Sequence, residues 1–268
     1  MSFHDLRRGT LLCYQSDLLR RPHGFTTRLG GVSTGHLASM NLGLSRGDSR
    51  ENVLKNYEIL GDAIGFDPHK TVQAVQVHGD AVRLCTEDDW GKGLYAHTDY
   101  EADGLMTNVP GTALVVFSAD CGTILLEDPV TGAVGACHAG WRGTALGIAG
   151  KTVAAMANAY GCDPKSIRAA LGPCISPCCF ETDEDVPQAM ISALGDEALP
   201  AITKTGAKYH VDLKYLNRLF LQKAGVLPEH MDTSPLCTAC DPDLFWSARR
   251  HKDQRGSLGA IIVAGGQA

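Results

Sequence analysis

Short segments rich in β-branched residues alternate along this chain with stretches of helical periodicity, and that alternation limits the fold more than any other feature. Residues 71–77, 113–117 and 133–137 are each too short for a stable helix and are bounded by turn residues, so they read as strands. Residues 258–264 read as a closing strand. Residues 49–64 instead place Val53, Tyr57, Leu60 and Ile64 on one helical face, with Asp48 or Ser49 as N-cap and Gly65 as the stop. A second helical pattern carries Leu146, Ala149, Val153 and Met156 after Gly143 and ends at Gly161; two more cover 183–194 and 212–224. The alternation predicts an α/β chain of layered mixed β-sheets flanked by helices. No Pro/Gly/Ser linker, charge block or solenoid-length repeat interrupts it, so residues 1–268 read as a single domain.

A formal charge of −6 leaves no basic footprint, which argues against nucleic acid as a partner. The N-terminal MSFHDLRRGTLLCYQSDLLRR has no apolar run of signal-peptide length and no small-residue cleavage site, and no later run approaches the roughly eighteen apolar residues of a membrane span. The expectation is a cytoplasmic protein with no membrane partner, monomer and dimer both remaining open. Ten cysteines in such a setting read as thiols, buried small hydrophobes or metal ligands rather than as a disulfide framework.

Three of the expected strands end close to a metal-binding side chain: QVHG at 76–79, SADC at 118–121 and CHAG at 137–140. Strand ends can converge on one cleft, which makes His78, Cys121 and His138 a candidate set. His and Cys suit zinc, and three protein ligands leave a fourth position open, as in a catalytic site. Taken singly, each residue has a bland alternative as a hydrogen-bonded bystander. His138 opens HAGWRG, whose glycines flank Trp141 and Arg142 just before a helix expected from about Thr144; backbone N–H groups and a guanidinium there would suit phosphate. Arg28 lies in a second glycine-rich segment, residues 27–33, and Asn41 in SMNLG offers an amide able to read a base or sugar. Tight surface loops are the alternative for both.

The ordered motifs GFTTRLGGVSTG (24–35), SMNLGLSRGD (39–48), ENVLKN, QVHG, ADC, CHAGWRG, LGPCI (171–175), CFETDEDV (179–186), CT (237–238) and FWSARR (245–250) run nearly end to end. Together they resemble the laccase-domain proteins, first labelled multicopper polyphenol oxidases and now described as YfiH-like purine nucleoside phosphorylases. The resemblance implies a YfiH-like fold and zinc on His78, Cys121 and His138. It also implies a substrate cleft involving Arg28, Asn41, Asp120 and Arg142, with Arg249 as a further member. Gly122-Thr123, Trp246 and Ala248 depart from the family's usual residues.

The resemblance further implies phosphorolysis of adenosine, inosine and S-methyl-5′-thioadenosine, with phosphate near Arg142. Adenosine deamination is implied too, a reaction suited to a metal that makes water more acidic. Copper-dependent phenol oxidation is an alternative, because His-Cys-His is the equatorial set of a blue-copper site; no H-x-H pair occurs among the ten histidines, however. Cys121 with His138 as base would alternatively make a cysteine hydrolase acting on peptidoglycan precursors. A non-enzymatic metal-buffering or nucleotide-sensing protein is the remaining reading. Residues 145–152 mimic a phosphate loop but lack its first Gly, and no G-x-S-x-G or H-E-x-x-H occurs. Cys174, Cys178 and Cys179 with the CxxC of Cys237 and Cys240 invite a four-thiolate site, but the first group has the wrong spacing for a zinc half-site, so these read as thiols.

Overall fold

The computed structural model describes residues 3–265. Its strands are, in chain order, β1 (Phe3–Arg8), β2 (Leu11–Ser16), β3 (His23–Thr26), β4 (Thr71–Val72), β5 (Val82–Leu84), β6 (Gly104–Thr107), β7 (Ala113–Ser118), β8 (Gly122–Glu127), β9 (Val134–Ala139), β10 (Arg168–Leu171), β11 (Glu181–Thr182), β12 (Ile202–Thr205), β13 (Lys208–Val211), β14 (Met231–Thr233) and β15 (Leu258–Val263). The helices are α1 (Arg50–Ile64), α2 (Trp141–Ala145), α3 (Ile148–Tyr160), α4 (Asp185–Leu194), α5 (Leu213–Lys223) and α6 (Ala248–His251). Strands order as β1-β2-β3-β15-β7-β4 in one sheet and β14-β10-β8-β9-β6-β5 in a second, and β11-β13-β12 form a small third sheet. Both large sheets are mixed: β4 runs parallel to β7 and β5 to β6, while β15 is antiparallel to β3 and β7.

Side-chain alternation builds the layers. Along β7, Leu114 and Val116 join Ala260 and Ile262 of β15 and Leu125 of β8 in one core between the two sheets. The intervening Val115, Ile261 and Val263 face the other way, packing on Val53, Tyr57 and Leu60 of α1. On the second sheet, Ile124, Leu126 and Cys137 turn outward to Ile148, Val153 and Met156 of α3 and Leu221 of α5. The order is helix, sheet, sheet, helix, the flanked mixed-sheet arrangement that the alternation predicts. A strand covered on both faces is mostly apolar, and β8, β9 and β15 are buried at every residue, with Thr123, Glu127 and His138 as the polar exceptions. Each fully buried Val, Leu or Ile contributes about 1.5–3 kcal/mol.

Local details follow the chemistry. Ser49 caps α1 by accepting the Asn52 N–H at 3.1 Å, and Gly65 ends it in the left-handed conformation. Two expectations change. The strand foreseen over 71–77 is cut to Thr71–Val72, after which the chain makes only an isolated bridge from Val75 to Glu101. The loop that follows carries His78 at φ +61°, outside the range of a sheet ladder. The helix foreseen from about Thr144 starts earlier, at Trp141, and is broken at Gly147 (φ +76°) before α3 resumes. Among the described residues, no helix is long and apolar enough to cross a membrane.

Candidate metal centre

His78 sits at the tip of the 76–79 loop, Cys121 ends the turn between β7 and β8, and His138 lies inside β9, one residue before its end. Their ligand atoms fall within 4.8 Å of one another, with Cys121 Sγ 4.0 Å from His78 Nε2 and the two imidazoles edge-on at 4.8 Å. Burial grades from exposed His78 through Cys121 to buried His138, so the set opens toward solvent on one side.

Asp103, fully buried at the entrance to β6, organises the group. Its Oδ1 accepts the His78 N–H at 3.1 Å and the His138 Nδ1–H at 2.7 Å; its Oδ2 accepts the N–H of Val77 at 3.1 Å and of Gly79 at 2.8 Å. A carboxylate can only accept, so His138 carries its hydrogen on Nδ1 and presents Nε2 to the centre. Burial pushes the Asp103 carboxyl upward, but these donors outweigh it and hold the group below the usual carboxylate range. Burial likewise opposes ionisation of Cys121, yet hydrogen bonds and charge from His138 and His78 bring its thiol down to about 6. His138 is raised to about 9: Asp103 and Cys121 outweigh the burial that would lower it. Each group thus favours the charged form of the other, the thiolate of Cys121 and the protonated imidazole of His138.

Backbone strain surrounds the centre. Among the described residues, the non-glycine positions with positive φ are His78, Asp120 and Lys252. Two carry or adjoin a candidate ligand, and Lys252 lines an adjoining cavity. Such conformations cost about 1–3 kcal/mol each and persist where tertiary contacts over-determine them. At Asp120 the contacts are plain: Oδ1 accepts from the Thr238 hydroxyl at 2.6 Å, and Oδ2 from the Ser247 hydroxyl at 2.9 Å and the Arg249 N–H at 2.7 Å.

Two cavities share Cys121. The larger, of about 730 Å³, is lined by His78, His138, Tyr95, Phe117, Arg46 and Arg255 among others. The smaller, of about 430 Å³, is bounded by Trp141, Phe180, Arg249 and Lys252. Of the remaining residues of the implied substrate cleft, Asn41, Arg28 and Arg142 line neither cavity, while Asp120 and Arg249 border the smaller one. Asn41 is fully buried, its amide donating to Gly43 O and Asp48 and accepting from the N–H of Gly43 and Ser257, so it ties loops together and faces neither cavity. Arg28 lays its guanidinium 3.8 Å from the Trp246 ring centre and donates to Pro242 O; Arg142 is exposed over Trp141 at 4.2 Å. Neither lines either of these two cavities. Asp120 borders the smaller cavity with its carboxylate already committed, and Arg249 borders it while donating to the carbonyls of Cys179 and Glu181.

The residues fit a metal ion. Donors on a common zinc lie no farther apart than the sum of two bond lengths, about 4.4 Å for sulfur and nitrogen, and the His78–Cys121 pair meets that bound. Gly140 keeps the space clear: a Cβ there would stand 2.9 Å from His78 Cδ2 and 3.2 Å from Cys121 Sγ. Its backbone, φ −62° and ψ 169°, is open to any residue, so the conflict lies only with the centre. Gly140→Ala is expected to weaken zinc binding at least about tenfold, the loss typical of disturbing ligand orientation, while thermal unfolding of the chelated protein shifts little. Equal zinc affinity in competition titrations would count against this geometry.

The chain belongs to the multi-copper polyphenol oxidoreductase laccase family, whose sequence pattern it matches over residues 22–265. It is 38% identical over 263 residues to the purine nucleoside phosphorylase YlmD of Geobacillus stearothermophilus, covering 97% of this chain and 96% of that protein. With the purine nucleoside phosphorylase YfiH of Escherichia coli it shares 36% identity, over 85% of this chain and 87% of that one. The crystal structure of the Bacillus licheniformis hypothetical protein YfiH superposes with a TM-score of 0.91 at 34% identity, covering 98% of both chains.

Proposed function

We propose that this chain is a zinc-dependent purine nucleoside phosphorylase, with His78, Cys121 and His138 as the metal ligands and adenosine, inosine and S-methyl-5′-thioadenosine as substrates. The observation that carries this reading is the composition of the larger cavity: the three candidate ligands share its wall with two aromatic rings and three guanidinium groups, those of Arg46 and Arg255 and that of Arg50, which already donates to Leu94 O. Tyr95 and Phe117 offer faces on which a purine can stack. Arg255 is half-buried; desolvation and the nearby charge of Arg46 both depress its pKa, and a dianion bound between the two would relieve that repulsion. Phosphate is thus assigned to Arg46 and Arg255 in place of Arg142.

In the reaction, a phosphate oxygen bonds to C1′ as the C1′–N9 bond breaks. The base leaves with that electron pair and takes up a proton, giving ribose 1-phosphate. The arginines hold the nucleophile, the aromatic faces orient the base, and Asp103 keeps His138 aimed at the centre. Zinc would supply Lewis acidity at this wall. Adenosine deamination at the same centre is part of the proposal.

The test is turnover of inosine by the purified protein, following hypoxanthine and ribose 1-phosphate with and without phosphate and chelator. Release of both products only with phosphate, abolished by chelation and restored by zinc, is the expected result; no base release under any of these conditions would refute it. A second reading rests on the Cys121–His138 pair itself, which matches an activated cysteine nucleophile. Amide hydrolysis that survives chelation would favour it. Copper oxidation of phenols draws less support: beside the His78 centre, the other metal-ligand grouping among the described residues is a set of four cysteines, not the cluster of histidines that a multicopper oxidase adds.

A further inference from the structure

The four cysteines outside the centre stand closer than their spacing suggests. Cys178 and Cys179 ride a turn in which the N–H groups of Cys179 and Phe180 both donate to Ser176 O at 2.9 Å. Cys237 and Cys240 occupy a second turn, closed by the Cys240 N–H on Cys237 O at 3.2 Å. An isolated bridge between Cys174 and Cys237 joins the two segments. All four sulfurs lie within 4.8 Å of one another, and those of Cys178 and Cys179 are each 3.5 Å from that of Cys240. Adjacent cysteines do not make a standard half-site, which is why the sequence reads as plain thiols; the turn brings both sulfurs to one side.

We propose that Cys178, Cys179, Cys237 and Cys240 bind a second zinc ion as a tetrahedral four-thiolate site. Four sulfurs around one zinc, at about 2.3 Å each, sit about 3.8 Å apart; two of the pairs here stand at 3.5 Å and none is farther apart than 4.8 Å. A disulfide would join only two sulfurs, whereas Cys240 stands equally close to two partners. The surroundings also supply what a doubly negative zinc–thiolate unit needs. The Ser176 N–H donates to Cys237 Sγ at 3.3 Å, and Arg250 Nη2 approaches Cys179 Sγ at 3.9 Å, its Nε anchored on Ala239 O at 2.7 Å. With all four positions taken by protein, such a site is structural. It clips the segment bearing Ile175 and Phe180, which wall the smaller cavity, to the segment leading into Arg249, whose guanidinium already bonds Cys179 O.

The test is zinc content per chain after zinc loading and dialysis, for the full-length protein and its variants. Two zinc ions are expected in the unaltered chain, one in Cys121→Ala, and one in the Cys237→Ser/Cys240→Ser double variant. If the His78 centre holds no metal, the unaltered chain and Cys121→Ala both retain one and the double variant none, which still upholds the thiolate site. A Cys121→Ala protein devoid of zinc overturns it. So does titration of eight rather than all ten cysteines in denaturant with chelator, the mark of a disulfide. Should the double variant fail to fold, cobalt loading of Cys121→Ala decides: intense thiolate-to-cobalt absorption supports the site and its absence refutes it.

Discussion

Cys121→Ala is expected to empty the His78/His138 centre and to lower phosphate-dependent hypoxanthine release from inosine by about 10³-fold or more. The size follows from a metal's contribution of several kcal/mol to charge stabilisation, at 1.36 kcal/mol per decade. The Sγ is the only anionic donor of the three, and two neutral imidazoles, one of them exposed, are a poor zinc site alone. The fold should hold, because Cys121 lies outside the buried hydrophobic clusters and its turn is kept by Ser118 Oγ on its carbonyl at 2.6 Å. A melting temperature within a few degrees of the chelated parent, with zinc at this centre gone, is the expected pair of readings. A folded variant that keeps both metal and turnover would remove Cys121 from the mechanism.

The second large effect is expected at Asp103. Asp103→Ala leaves four donors without their acceptor, three from the 77–79 backbone and one from His138. Removing one partner of a buried pair costs about 3–5 kcal/mol, and at about 2–4 °C per kcal/mol for a chain near this size the melting temperature should drop by about 10 °C. The loop holding His78 at φ +61° loses its anchor, so zinc affinity should fall by about 10- to 100-fold as well. Asn is no substitute: either orientation of its amide turns an NH₂ toward N–H groups that need an acceptor. Asp103→Glu displaces the carboxylate by a methylene in a fully buried site and is expected to rescue neither property. An Asp103→Asn protein with parental stability and zinc affinity would show that the carboxylate is not the organiser.

Helices were the most legible part of the sequence. The periodicity of 49–64 and 212–224 matches α1 and α5 to within a residue or two, because their caps, Ser49, Gly65 and Asp212, are local chemistry. Strands were less so. β8 is buried at all six residues, and β1 and β3 carry no run that stands out from loop composition; short strands take their identity from partners far along the chain. His78, Cys121 and His138 could be picked out because each follows or ends an apolar run. Asp103 could not: the EADG stretch holding it reads as an ordinary turn, and its task depends on a loop 24 to 26 residues upstream and on a strand 35 residues downstream.

Asn41, Arg28 and Arg142 mark the converse. A polar residue in a glycine-rich loop looks the same whether it meets a ligand or a carbonyl of its own chain, and here Asn41 and Arg28 meet the chain. Composition, periodicity and caps, which act within one or two turns of chain, therefore determined the α/β layering, the helices and the three residues of the candidate centre. Burial and long-range hydrogen bonding decided the rest. They put Asp103 beneath two of those residues, turned Arg46 and Arg255 into the larger cavity and gathered four cysteines at one point, since whether a donor is satisfied or a charge desolvated depends on neighbours that only the closed fold supplies.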